Sequence, residues 1–395
     1  MTTEAAGLLR VVGLMSGTSL DGVDAAVLET DGETIAGFGP RSYRPYTEAE
    51  REVLRQAIGA ARGMVDRADR PGPLARAEAV VTRAHIEAVR QLLRENGLVA
   101  SAAGDADRSV RAIQLLGLHG QTVLHAPERR LTVQIGDGQA LADETGLPVV
   151  FDFRAADVAA GGQGAPLVPV YHRALASRSG LPRPLAVVNI GGVANVTWIG
   201  ADDDLAASDV GPGNALLDDF VRSRRGQPFD KDGGLACAGK VDHEALASLL
   251  AHPWFGRSWP KSLDRNAFDP AAVARLGDKD GAATLVAFTA AGIARGVAHF
   301  GGAEQVVVVG GGARNPATMA SLRNILPAPV VRGDEIGWAG DFVEAEAFAF
   351  LAARSVRGLP LTFPGTTGVR RPLTGGLLAR PRQAVASAAA RRRST

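Results

Sequence analysis

At 395 residues, with 46% hydrophobic and 22% charged content, the chain is too long for one ordinary core and has the composition of a globular protein of two domains. A formal net charge of +1 gives no global field for nucleic acid, and the lone Cys237 excludes an internal disulfide or a cysteine metal cluster. No run of 18 uncharged apolar residues occurs and the start, MTTEAAGLLR, lacks the pattern of a secretory leader, so a cytoplasmic protein with no membrane partner is expected.

An apolar run over 8–12 leads into Ser16, Gly17, Thr18, Ser19, Leu20, Asp21 and Gly22, and a second run over 23–28 leads out: strand, tight turn, strand. The glycines bring backbone N–H groups within reach of an anion, the hydroxyls add donors, and Asp21 and Asp24 stand where a metal or water could be held. Phosphate suits such a turn, although a plain hairpin loop has the same composition. A third strand is expected over 33–44, then a short helix over 47–58 with Thr47 as cap and Glu50 three residues on. A long helix over 73–96, stopped by Gly97, and a polar linker over 100–108 follow.

A buried strand over 113–118 ends in His119, Gly120, Gln121 and Thr122. Polar side chains at the C-terminal edge of a strand in an α/β sheet face the ligand crevice, which makes Gln121 and Thr122 candidate contacts; His119 could equally bond a neighbouring backbone. His119 and His125 lack the i, i+4 spacing of a helical zinc pair, so no zinc is assigned. A strand over 131–135, a helix over 138–145 and a strand over 149–153 bring the chain to DFRAADVAAGGQGAPLVP. There Arg154 is either a substrate contact or the ion-pair partner of Asp157, and Gly161, Gly162 and Gly164 form a hinge or a plain linker before a helix opened by Pro166.

The device then recurs. A strand over 185–190 runs into Gly191 and Gly192 and returns through Asn195. A strand over 205–210 carries Asp209 into a Gly-Pro-Gly turn and a helix over 215–224. Asp209 is a crevice acid or a helix cap, though the usual cap position falls later, at Gly213 or Asn214. The segment from Gly234 to Lys240 fits G-x-x-x-x-G-K, but Val241 replaces the magnesium-binding hydroxyl and no buried strand precedes it, so a Walker loop is rejected. After helices over 242–251 and 282–300, a strand over 306–309 presents Gly310, Gly311 and Gly312, where a base or ribose can lie on the backbone, and Asn315 opens a helix. A helix over 341–351 carries Glu344, by default a surface acid, among Phe342, Phe348 and Phe350. The basic end, 379–395, reads as a solvated tail.

Two phosphate-type hairpins and a glycine triplet read as a duplicated lobe around ATP. Mg²⁺ would be held by Asp21, directly or through water, and Asp209 is the acid best placed to orient or deprotonate the nucleophile.

In this order GLMSGTSLDGVD, LHGQT, DFRAADVAAGGQGAPLVP, NIGGVANV, DVGPGN, FDKDGG and VVGGGARN resemble the anhydro-N-acetylmuramic acid kinase family, a branch of the sugar kinase, actin and heat-shock ATPase superfamily, across 13–376. The resemblance implies an α/β fold of two actin-like (ribonuclease H-like) lobes around a cleft, each a mixed sheet flanked by helices. Residues 1–154 with 352–378 would form the first lobe and 155–351 the second. It implies an ATP- and Mg²⁺-dependent enzyme in which Gly17, Thr18, Ser19, Leu20, Asp21, Gly22, Val23, Asp24, Gly191, Gly192, Asn195, Gly310, Gly311, Gly312 and Asn315 hold the nucleotide. Asp209 would activate a water against C1 of the 1,6-anhydrosugar, and the released O6 would take the γ-phosphoryl group. Glu344, with Glu346 close by in FVEAEAF, matches a sugar-contacting Glu, and Gln121, Thr122 and Arg154 would be further sugar contacts. Ala155 and Ala156 stand where some relatives carry arginines, which weakens a lactyl-carboxylate contact there. A levoglucosan-type kinase and a non-catalytic actin-like or heat-shock-like ATPase are the competing readings, and a homodimer stays open.

Overall fold

The computed structural model describes residues 7–17, 19–101, 111–265 and 267–382. Thr18, most of the linker expected over 100–108, and Arg391, Arg392 and Arg393 lie outside the described residues.

The first sheet starts with β1 (Leu9–Ser16), β2 (Gly22–Thr30) and β3 (Ile35–Pro45), an antiparallel meander. Helix α1 (Glu48–Ala61) is opened by a capping box between Thr47 and Glu50, as the spacing predicts, and α2 (Pro73–Glu95) follows. Strands β4 (Val99–Ala100) and β5 (Ala112–Ile113) form a small parallel pair. Strand β6 (Leu115–Ala126) lies parallel to β1, and β7 (Leu131–Ile135) pairs back on it. Helix α3 (Gly138–Thr145) leads to β8 (Val149–Phe151), parallel to β6.

Beyond the short α4 (Ala155–Ala159), helix α5 (Pro169–Arg178) leads into the second sheet. Strands β9 (Leu185–Ile190), β10 (Val193–Ile199) and β11 (Leu205–Pro212) form a second antiparallel meander. Helices α6 (Ala215–Arg225), α7 (Gly234–Cys237), α8 (His243–Leu250) and α9 (Asp278–His299) follow. Then β12 (Gln305–Val309) lies parallel to β9, and after α10 (Pro316–Ile325) comes β13 (Val330–Arg332), parallel to β12. Helices α11 (Val343–Val356) and α12 (Pro364–Thr367) precede β14 (Leu377–Ala379), which returns to β8.

The strand orders are β14-β8-β6-β1-β2-β3 and β11-β10-β9-β12-β13. In both, the first strand is central, its meander lies on one side and its parallel partners on the other. This is the actin-like, ribonuclease H-like arrangement, formed twice.

One apolar core lies between β1, β2 and helices α1 and α2; another lies between β9, β12 and helices α9 and α10. A third joins the sheets, gathering Val11, Ala26, Val187, Val307, Tyr171 and most of α11. Helix α11 lies directly on β1, β2 and β6, although residues 343–351 fall in the range expected for the second lobe. The approach is backbone to backbone, since a Cβ at Gly13 or Gly117 would collide with the carbonyl oxygen of Ala345 or Phe348. Among the described residues α9 is the helix long and apolar enough to cross a membrane, and it is largely buried in the second lobe.

Several sequence expectations change. Strand β6 runs on through His119, Gln121 and Thr122 to Ala126, because Gly120 takes φ +72° and the strand then pairs with β7. Helix α5 is opened by Pro169, not Pro166. The rejection of a Walker loop stands, since a 3₁₀ turn over Lys231–Gly233 and not a strand leads into the helical residues 234–237. The segment expected as tail begins docked: Ala379 closes β14, and Arg382 donates to Asp143 at 2.9 Å through Nε.

Candidate active site

The turn between β1 and β2 is held by its own backbone. Leu20 N donates to Gly17 O (3.2 Å), and Asp21 O accepts from Tyr46 N (2.8 Å). Leu20 has φ +60°, a conformation unusual for a branched side chain and found where a turn is shaped for function. Gly22 and Val23 belong to β2, with Val23 wholly in the core, so only their backbone can serve a ligand. Asp21 is exposed and Asp24 half-buried. Burial, then the charges of Glu344, Asp341 and Asp21, push Asp24 up to about 7.

In the second lobe the register lines up Asn189, Asn195 and Asp209 across β9, β10 and β11, with Val309 beside Asn189 and Gly310 next along β12. Asn195 Oδ1 is buried and has no partner among the described residues. Asp209 sits within β11 and caps nothing: its Oδ2 accepts from the backbone N–H of Leu263 at 2.8 Å. Burial pushes its carboxyl up to about 7, with the Leu263 N–H pulling the other way. The carbonyls of Gly191 and Gly192 accept from Asn214 N (2.7 Å) and from Gly213 N and Ala215 N (3.0 and 3.2 Å). These bonds tie the Gly-Pro-Gly turn and the first residue of α6 to the paired-glycine turn.

Gly310 has φ +82°, and a Cβ there would strike Asn189 Oδ1. A cavity of about 110 Å³ beside it is lined by Gly310, Arg314, Arg332, Asp334 and Asp341. Gly311 and Gly312 begin a short 3₁₀ turn, and Asn315 Oδ1 caps α10 through Ala317 N (3.0 Å) and Thr318 N (3.4 Å).

Arg154 lies between the first sheet and the 161–164 segment. Its Nη1 donates to Gly164 O (2.8 Å), and Nε and Nη2 lie 3.2 and 3.0 Å from His119 Nε2. His119 Nδ1 faces Gly120 O at 2.8 Å and must donate to it, so Nε2 carries the lone pair that Arg154 meets. Burial and Arg154 hold His119 well below its ordinary range, hence neutral. Arg154 is pulled down to about 10 by burial, with Glu344 and Asp157 opposing. Asp157 is taken up elsewhere, accepting from Gly164 N and Thr367 Oγ1, each at 2.6 Å.

Glu344 makes no hydrogen bond among the described residues; burial raises its pKa and Arg154 counters. Glu346, two residues on, is buried and accepts from Tyr171 Oη (2.7 Å) and from Arg41 Nε and Nη2 (2.9 and 2.7 Å). Gln121 is fully buried and its Oε1 accepts from Ser16 Oγ (2.6 Å), while Thr122 Oγ1 accepts from Gln134 Nε2 (3.2 Å).

Sequence reasoning missed the tie between these two sides. Ser262 Oγ donates to Gln163 Oε1 at 3.0 Å, so the residue next to Leu263 bonds the residue next to Gly164. No motif signals that contact, nor a backbone donor such as Leu263.

Two lobes of one topology, with a raised carboxyl on one side and a half-buried arginine on the other, define a phosphotransferase of the actin-like fold. The sequence profile of the anhydro-N-acetylmuramic acid kinase family matches residues 9–380. The chain is 54% identical over 376 residues to the anhydro-N-acetylmuramic acid kinase of Nitrobacter winogradskyi, covering 95% of this chain and 100% of that one. It is 55% identical over 376 residues to that of Rhodopseudomonas palustris strain HaA2 (95% and 100% covered), and 53% over 384 residues to that of Methylobacterium nodulans (94% and 100%). The chain belongs to the anhydro-N-acetylmuramic acid kinase family.

Proposed function

We propose that this chain is an ATP-dependent kinase, working in the cytoplasm, that opens the 1,6-anhydro bridge of 1,6-anhydro-N-acetylmuramic acid and phosphorylates O6. The product is N-acetylmuramic acid 6-phosphate, an intermediate of cell-wall recycling. Asp209 carries the reading: its carboxyl, pushed up to about 7 and partnered by a neutral N–H, is poised to take a proton near neutral pH.

In this reading a water held by Asp209 attacks C1 and gives Asp209 its proton. The C1–O6 bond breaks, and O6 forms its bond to the γ-phosphorus as ADP leaves. The water oxygen remains as the C1 hydroxyl. Gly17, Ser19, Leu20, Gly22 and Asp24, with Gly191, Gly192 and Asn195, surround the phosphates, while Gly310, Gly311, Gly312 and Asn315 bound the nucleoside. Arg154 and Glu344 meet the sugar, with Gln121 and Thr122 behind them.

The donor set fits Mg²⁺. Asp21 and Asp24 offer hard oxygen donors, and the crowding that raises Asp24 is what a divalent cation relieves. Among the described residues no three His, Cys, Asp or Glu side chains converge to hold a metal by themselves, so the ion would come in with the triphosphate, on Asp21 directly or through water. Bound there, it would neutralise phosphate charge.

One observation favours the second reading, a kinase of anhydrosugars without the lactyl group: Ala155 and Ala156 offer no cation to a lactyl carboxylate. A coupled ADP-release assay over anhydrosugars with and without the lactyl ether decides. Turnover only without it would replace the substrate; turnover with neither would overturn the kinase.

A further inference from the structure

Lys261 is a buried cation that the reaction above does not use. It is 6% exposed, and its Nζ donates to the carbonyl oxygens of Phe255 (3.1 Å), Trp254 (3.3 Å) and Arg257 (3.4 Å). The ammonium lies 4.3 Å from the ring centre of Trp254 and 4.1 Å from that of Trp259. Among the described residues the charges that bear on it are Arg257 and Arg295, both of its own sign. A desolvated ammonium without a carboxylate is costly, and it is retained here by three carbonyls and two indole faces. Three carbonyls turned toward one point need a donor at that point, so the cation is what lets the loop over 254–261 close on itself.

The loop is stitched to the strand that carries Asp209. Ser208 Oγ accepts from Lys261 N (2.9 Å) and contacts Lys261 O (3.0 Å), and Asp209 N donates to Lys261 O (3.1 Å). Trp254 Nε1 donates to Ser262 O (3.0 Å), and the next N–H, that of Leu263, lands on Asp209 Oδ2. From the ammonium to the acid the path runs through consecutive residues with no slack.

We propose that Lys261 is a positioning residue for the reaction: its ammonium holds the 254–263 loop in the shape that sets the Leu263 N–H on the Asp209 carboxylate. The proposal rests on Asp209 being the base. Among the described residues no charged side chain shifts Asp209; across β10 its neighbour is the neutral Asn195, and the loop side carries Lys261, Asp264 and Arg265 around Leu263, with Arg257 and Arg295 bearing on Lys261. The Leu263 N–H favours the ionised acid, so its loss raises the pH at which Asp209 gives up its proton.

The experiment takes the full chain as Lys261→Met and as Ser208→Ala, a milder cut at the same stitch that carries the test should the first variant fail to fold. Each is measured for kcat, for KM of ATP and of the anhydrosugar, and for the pH dependence of kcat/KM. Expected for Lys261→Met are a loss of about 100-fold in kcat, as misplacement of a reacting group brings, an unchanged KM for ATP, and an acidic limb displaced to higher pH. Ser208→Ala should move the limb the same way with a smaller loss. A near wild-type kcat and an unmoved limb in the folded variants overturn the proposal. Asp209→Asn, measured alongside, separates the two failures: if it is inactive while Lys261→Met behaves as wild type, only the positioning role falls, and if it is active, the reading of Asp209 falls with it.

Discussion

The backbone N–H of Leu263 meets Oδ2 of Asp209 at 2.8 Å across 54 residues of sequence. The acid is thus oriented by a dipole and not by a cation, which leaves its affinity for a proton high. A salt-bridged aspartate in its place would be fully ionised at neutral pH but a poor acceptor.

Asp209→Asn keeps an oxygen for Leu263 and removes the proton acceptor. Phosphorylation should fall by roughly 100- to 10,000-fold, the range general base catalysis supplies. The dissociation constant for ATP, measured by calorimetry, should not change. Near-normal turnover would make Asp209 structural.

The pH dependence follows from the same group. With Asp209 as the base proposed above, turnover needs it ionised, so kcat/KM should rise with pH through an acidic limb near 7. Stability runs the other way. Asp209 binds its proton more tightly folded than unfolded, so its contribution is greatest below the unfolded value and declines as pH rises toward about 7. Thermal melts at pH 8 should find Asp209→Asn more stable than wild type by about 1–2 kcal/mol, after allowance for partial exposure, with the gain gone at pH 4. An equal gain at both pH values would refute a raised pKa.

Glu344 and Glu346 should separate cleanly. Glu346→Ala leaves the buried Tyr171 hydroxyl without its acceptor and should cost about 1–3 kcal/mol in denaturant unfolding. Glu344→Ala removes a half-buried carboxyl that bonds nothing among the described residues, so it should leave stability unchanged or improved while raising the KM for the sugar. The opposite pattern would exchange their roles.

Arg154→Lys replaces a planar fork by a point charge that cannot serve both His119 and Gly164. The KM for the sugar should rise about 10- to 100-fold, the worth of a charged hydrogen bond, with the KM for ATP steady. A rise confined to ATP would move Arg154 to the phosphates.

Oxygen-18 water should label the C1 hydroxyl of the product, detected by mass spectrometry after phosphatase treatment. Label absent from C1 would exclude water attack.

What the sequence could reveal was local. Thr47 with Glu50 marks a helix start by spacing alone, and the paired glycines after β9 mark a tight turn in the same way. The doubling of the lobes was legible because that turn device recurs. The run of β6 past His119 was not, because its reason is the partner strand β7 and a backbone angle at Gly120. Nor was the place of α11, since an apolar helix announces burial but not which sheet buries it. Glu344 and Glu346 look alike in FVEAEAF; only Tyr171 and Arg41, both far away in sequence, tell them apart. The partners of Asp209 were hidden for a further reason, that a backbone N–H can come from any residue.

Helix α11 meets the first sheet backbone to backbone at Gly13 and Gly117. The first turn of that helix bears Glu344, so the acid is mounted beside a close backbone contact that leaves no room for an added side chain at Gly13. On the proposed role of Glu344, a change of sugar would have to be met by the loops around it, because moving the acid means moving the helix off the two glycines.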